Sequence, residues 1–277
     1  MQVSAVIITR NDNFGGNMVE MGTACLQTMS KTFDEVILID FGSIEPLYPI
    51  FNNTIEDKKG NIRVIHVPHD WITSIVHDTT TMADVIGRNI GIRRASYDII
   101  LSSNIDIIPA PKDEFDLNTF DENVFYTSGK YMIEQPMIVE FNSKGISWHE
   151  IQQHLFDTRS SYYRQPIFNG DPWSKMSGCG DFQMGHRNIW FHQEVRGFEE
   201  SLIYKDYVDT NLHKKIIENA HKEVRVASDF HVFHQSHPNN RGKVKINNIN
   251  VAAWNFTNTT NTENWGYPEE TFEENTI

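Results

Sequence analysis

Residues 1–110 repeat one pattern: a short apolar run, a longer amphipathic stretch, then another apolar run. The runs at 3–9, 36–40, 62–67 and 99–102 have strand length. Between them, 18–29, 46–55 and 81–94 have helical spacing, and the last places Met82, Val85, Ile86, Asn89 and Ile90 on one face. Strands joined by crossover helices feed an open, mostly parallel α/β sheet. Such sheets bind ligands beyond the carboxyl ends of their strands. Four polar features fall there: Thr9-Arg10-Asn11, Asp40, the Arg88-Asn89 pair inside the third helix, and Asn104-Ile105-Asp106. Each alone reads equally well as a turn or a solvated side chain, so their convergence is the clue.

A chain of 277 residues is long enough to bury a core without staples. Only Cys25 and Cys179 are present, which supports neither a disulfide framework nor a cysteine zinc site and fits a reducing compartment. Neither a signal peptide nor a membrane-length apolar segment is apparent, and the expectation is a soluble, cytoplasmic protein. The net charge of −13, from 24 basic and 37 acidic residues, leaves no Lys/Arg stripe to neutralise phosphates. The balance therefore argues against non-specific binding to nucleic acid or to acidic membrane surfaces. An anionic substrate would need a local Arg or a metal ion.

After Pro109 the alternation gives way to a mixed region. A helix is expected near 114–120, strands near 124–126 and 137–141, a helix over 147–162, turns between 166 and 180, another helix over 206–220, and an extended segment over 229–234. The stretch 257–274 is polar and acidic and reads as a surface wrap or a disordered tail.

The order of these features resembles that of the GT-A glycosyltransferases, particularly the large inverting family 2. The strand ending Ile8-Thr9-Arg10-Asn11 is similar to the family's opening strand, and Ile39-Asp40-Phe41-Gly42-Ser43 to its second strand and turn, where an Asp meets the base. Gly87-Arg88-Asn89-Ile90-Gly91 resembles the arginine-asparagine helix segment. Leu101-Ser102-Ser103-Asn104-Ile105-Asp106 occupies the place of the DXD motif. On the acceptor side, Gly180-Asp181-Phe182-Gln183-Met184 through Trp190, then Gly197-Phe198-Glu199-Glu200, and Tyr207-Val208-Asp209-Thr210-Asn211-Leu212 resemble later segments of the family. Together the resemblance covers residues 2 to about 237. It implies one GT-A, Rossmann-like domain over 1–240, with a nucleotide-sugar half at 1–110 and a smaller acceptor-side half at 111–240, followed by an extension at 241–277.

The chemistry follows from the resemblance. Breaking a nucleotide-sugar bond builds negative charge on the diphosphate, which a hard cation, Mn²⁺ or Mg²⁺, stabilises. Asp106 is the implied ligand, with His234 closing the site and His237 the second choice among His231, His234 and His237. Thr9, Arg10, Asn11, Asp40, Arg88 and Asn104 are implied nucleotide-sugar contacts. Asp209, near a helix start, is the implied base that deprotonates an acceptor hydroxyl, with Glu199 and Glu200 in reserve. Trp173 is a candidate acceptor contact. The implied activity is inverting transfer from a nucleotide sugar, UDP preferred, to a glycan or other hydroxyl acceptor. Two positions depart from the pattern: Asn104 stands where the first motif carboxylate is common, and Val208 where a Glu precedes the base. Both departures also fit a protein that binds nucleotide or carbohydrate without catalysis. A nucleotidyltransferase is disfavoured, because Asn13-Phe14-Gly15-Gly16-Asn17 lacks the basic residue its phosphate loop would need.

Overall fold

The computed structural model describes residues 1–13, 16–76, 82–111, 120–134, 163–164, 179–203, 208–227, 230–237 and 260–277. The four apolar runs become β1 (Val3–Thr9), β2 (Glu35–Phe41), β3 (Ile62–Val67) and β4 (Ile99–Asn104), in the spatial order β4-β1-β2-β3 and all parallel. Every residue of β1 and β2 is buried, which requires cover on both faces. The side-chain alternation of a strand sorts that cover. Ala5, Ile7, Val36 and Leu38 pack beneath α1 (Met18–Thr32) and α2 (Tyr48–Thr54). Val6, Ile8, Ile37 and Ile39 face α3 (His69–Ile75) and α4 (Asp84–Arg94). Helix α4 sits close to the sheet because Gly87 and Gly91 carry no side chain; a Cβ there would run into Ile8 and Phe41, or into Val6 and Ile39.

Beyond β4 the chain crosses into a second sheet. β5 (Ile107–Pro111) follows β4 after the Ile105-Asp106 turn, then come β6 (Val124–Ser128), β7 (Lys130–Glu134), β8 (Tyr163–Arg164), β9 (Cys179–His186), β10 (Glu223–Val226), β11 (Phe230–Ser236) and β12 (Glu273–Thr276). The eight-stranded sheet runs β10-β6-β9-β4-β1-β2-β3-β12, and the four-stranded sheet β5-β11-β7-β8. β9 lies antiparallel between β4 and β6, so the open parallel sheet is mixed on that side. A short α5 (Arg187–Trp190) follows β9, and α6 (Val208–Lys214) runs into a π-helical turn over Lys215–Asn219.

The α/β expectation holds, with β1 and β3 bounded as expected and β2 and β4 slightly longer. Helix α3 escapes the periodicity argument because it is a seven-residue segment, β-branched in part, whose start is marked only by Pro68. The helix over 147–162, the strand at 137–141 and Trp173 lie outside the described residues. For the acidic C-terminal stretch the alternative of a disordered tail is corrected: residues 260–277 are folded onto the sheet edge. β12 pairs antiparallel with β3, Trp265 is buried, and Trp71 meets Tyr267 and Phe272 edge-on. Its few apolar residues are diluted by glutamates that find basic partners, as when Arg63 bridges Glu274 and Glu35. Among the described residues, no helix is long and apolar enough to cross a membrane.

Candidate active site

Asp106 occupies the turn where the chain leaves one sheet for the other, and it is buried. β11 runs antiparallel to β5 with His234 opposite Ile107, and the Gln235 N–H donates to the Asp106 carbonyl at 2.9 Å. That pairing carries two histidines to one carboxylate oxygen: Asp106 Oδ2 lies 3.2 Å from His234 Nε2 and 3.1 Å from His237 Nε2. Both the first and the second choice of histidine thus lie beside Asp106. Strand alternation would turn His234 and His237 to opposite faces, but β11 ends at Ser236 and His237 is freed from it. Burial pushes the Asp106 carboxyl up, yet the two imidazoles outweigh it and hold the group below the usual carboxylate range.

The set fits a metal ion. Asp106, His234 and His237 each offer a ligand atom, all within 4.8 Å of one another. Among the described residues, Asp106 Oδ1 and His234 Nδ1 are buried with no hydrogen-bond partner, a cost that native cores rarely accept unrelieved. One carboxylate and two imidazoles can ligate a divalent first-row transition metal such as Mn²⁺.

Beside this cluster is a connected polar chain. Arg88, on α4, donates to Ser102 Oγ at 2.9 Å, to the Ser103 carbonyl at 3.3 Å and to Asn104 Oδ1. Asn104 Nδ2 donates to Asp181 Oδ1 at 2.6 Å, and Asp181 Oδ2 pairs with Lys130 Nζ. Asp209 stands in the first turn of α6, its Oδ2 3.5 Å from where a Cβ on Gly180 would be. Burial pushes its carboxyl up to about 6, with the Asp181 charge adding to the rise and local backbone N–H groups and Arg88 opposing it. Asp209, beside Gly180, and Asn104, bonded to Asp181 and to Arg88, thus both lie at the start of β9, while Asp106 lies two residues beyond Asn104. Asp181 and Lys130 were not among the expected site residues. Asp181 carries a signal, as part of the Gly180-Asp181-Phe182-Gln183-Met184 segment that resembles the family; Lys130 carries none.

The residues expected to contact a nucleotide sugar lie at the adjoining strand ends. Thr9 is buried opposite Asp40 in the β1–β2 register. Arg10 pairs with Asp12 at 2.8 Å. The Asn11 N–H donates to Ser43 Oγ at 2.8 Å, and its side-chain amide donates to the Glu45 carbonyl at 3.1 Å. Asp40 is fully buried: it accepts from Ser43 Oγ, from the Leu47 N–H at 2.8 Å and shares a hydrogen bond with His66 at 2.9 Å. Its carboxylate orders the turn that carries Ser43 toward Asn11. Glu199 and Glu200, the reserve bases, are bound into a different network. Glu200 accepts from Asn89 and from the Gly266 N–H, and Glu199 lies 3.8 Å from the buried Lys215 ammonium. Trp190 is a core residue, its indole donating to the Ile100 carbonyl.

No family model and no curated protein sequence matches the chain. Solved structures do. TarS of S. aureus aligns over 85% of this chain at 14% identity with a TM-score of 0.51. TarS 1–349 in complex with UDP-GlcNAc aligns over 89% at 14% identity with a TM-score of 0.54. GalNAc-T7 with UDP, GalNAc and Mn²⁺ aligns over 86% at 13% identity with a TM-score of 0.54. The chain has a GT-A-like glycosyltransferase fold. It spans 37%, 62% and 44% of those three structures respectively. At such identities the likeness carries the fold alone.

Proposed function

We propose that this GT-A-like chain is a metal-dependent inverting glycosyltransferase that moves a sugar from a nucleotide-sugar donor, with UDP as the preferred nucleotide, to a hydroxyl of a glycan or similar acceptor. The observation that carries the reading is the convergence of Asp106, His234 and His237 at the strand end beyond β4. Solved structures of the same fold that hold UDP, UDP-GlcNAc or Mn²⁺ lend support.

Asp106, His234 and His237 would hold the cation, Mn²⁺ or Mg²⁺, which when bound supplies positive charge against the developing charge of the diphosphate leaving group. Thr9, Arg10 and Asn11 would frame the nucleotide, with Asp40 holding their turn in place. Arg88 and Asn104 fix the strand end between nucleotide and cation. Asp209 accepts the proton of the attacking hydroxyl. A carboxylate with a pKa near 6 is a stronger base than an exposed Asp and is still ionised at neutral pH. That raised base favours catalysis over a purely binding role, despite Val208 in place of a second carboxylate.

The test is nucleotide release from a panel of UDP- and GDP-sugars with Mn²⁺ or Mg²⁺ and mixed glycan acceptors. Turnover with at least one donor, abolished by chelation and by Asp106→Ala, is expected. Binding of UDP with metal but no release from any donor would leave the binding protein as the answer. Absence of both would remove the nucleotide-sugar reading altogether.

A further inference from the structure

Arg88 is 5% exposed. A buried guanidinium keeps its charge and needs a carboxylate to balance it, or its desolvation is uncompensated. Asp84 lies 3.6 Å from Nε. The terminal nitrogens, however, go to neutral acceptors: Ser102 Oγ, the Ser103 carbonyl and Asn104 Oδ1. Because Arg only donates, it dictates which end of the Asn104 amide faces it. The other end then points Nδ2 at Asp181 Oδ1, and Asp181 Oδ2 meets the Lys130 ammonium. Polarity runs one way along the chain: guanidinium to amide oxygen, amide nitrogen to carboxylate, carboxylate to ammonium.

We propose that Asp181 is the positioning carboxylate of this cleft: β9 supplies the negative charge that position 104 lacks, and the Asn104 amide relays it to Arg88. On this view Asn104 marks a relocated acid rather than a lost one. A carboxylate at position 104 facing Asp181 would set two acids at the 2.6 Å separation now spanned by an amide hydrogen bond, a repulsion neither Arg88 nor Lys130 relieves for both. Exchanging the two side chains preserves each link named above. Arg88 would donate to the carboxylate, now on position 104; the amide, now on position 181, would donate its NH₂ to that carboxylate and accept from Lys130 through its oxygen. The ligand this relay serves is taken from the nucleotide-sugar reading above; the relay itself rests on the side-chain geometry.

The experiment compares the full chain with Asn104→Asp, Asp181→Asn and the double exchange. Two quantities are measured: UDP affinity with MnCl₂ by calorimetry, and melting temperature without ligand. Each single change is expected to lower the melting temperature and to weaken UDP binding roughly tenfold or more, because it leaves a buried charge or donor unmatched. The double exchange is expected to return to within about threefold of wild type, the signature of directly coupled sites. Losses that simply add in the double variant, in melting and in affinity, would overturn the relay. Coupling in melting with UDP affinity unchanged in all variants would overturn the positioning role. If the wild type binds no UDP with Mn²⁺, the nucleotide-sugar reading fails, and the melting cycle still decides whether the charge has moved to Asp181.

Discussion

At the scale of single residues, Asp209 makes the sharpest demand. Its carboxyl is raised to about 6 chiefly by burial, so below that pH it is protonated and cannot act as a base. Transfer is therefore expected to rise with pH through about 6, as a pH profile of kcat/KM would reveal. Asp209→Asn is expected to lower kcat about 10²–10⁴-fold, the ordinary worth of a general base. The same shift has the opposite sign for stability. A folded-state pKa above the unfolded one contributes stability that is full below the ordinary carboxylate range and is lost as pH rises through about 6. Asp209→Asn, which removes the burial of a charge, is thus expected to stabilise the fold at pH 7.5 by on the order of 1–3 kcal/mol. Urea unfolding at pH 7.5 and at pH 4.5 would check it, with the gain confined to the higher pH.

At the scale of elements, what could be read beforehand followed from periodicity. β1 and β2 were legible as near-continuous apolar runs covered on both faces, β3 and β4 as shorter apolar runs of strand length, and α1 and α4 because their apolar positions recur at helical spacing. Asp106 and Asp209 became candidates through the order of segments along the chain. The partnership of His234 with His237 was not legible, since it depends on where β11 ends. Nor was Lys130, whose meeting with Asp181 is set by pairing between distant segments. β12 was the largest omission. Its segment is polar in composition, yet Trp265 is buried against Phe191 and Arg93, and Arg94 donates to the carbonyls of Gly266, Tyr267 and Glu270. Trp265→Ala is expected to cost about 3–5 kcal/mol in equilibrium unfolding, as large-to-small changes in a core do. A cost below about 1 kcal/mol, the range of a surface substitution, would return the segment to the status of a surface wrap. Because Asn261 and Gly266 also engage the network around Asn89, next to Arg88, UDP affinity is expected to fall in the same variant.

At the scale of the whole molecule, ligand binding and stability are linked. A cation with UDP that binds the folded chain alone stabilises it by about 2.7 kcal/mol at a hundredfold excess over Kd. A melting temperature that climbs with MnCl₂ and UDP is expected for the wild type and absent from His234→Ala/His237→Ala. An equal rise in that variant would place the cation elsewhere. With a net charge of −13, weak unspecific cation effects are also expected, so the comparison with the histidine variant is what isolates the site.

Asp106 sits at the handover from one sheet to the other, and its two histidine partners come from the strand that zips onto β5 immediately after it. An ion held there would act as a rivet through the seam. Deuterium uptake along β5 and β11 should then slow when the site is filled, giving a readout of occupancy from backbone amides that needs neither donor nor acceptor.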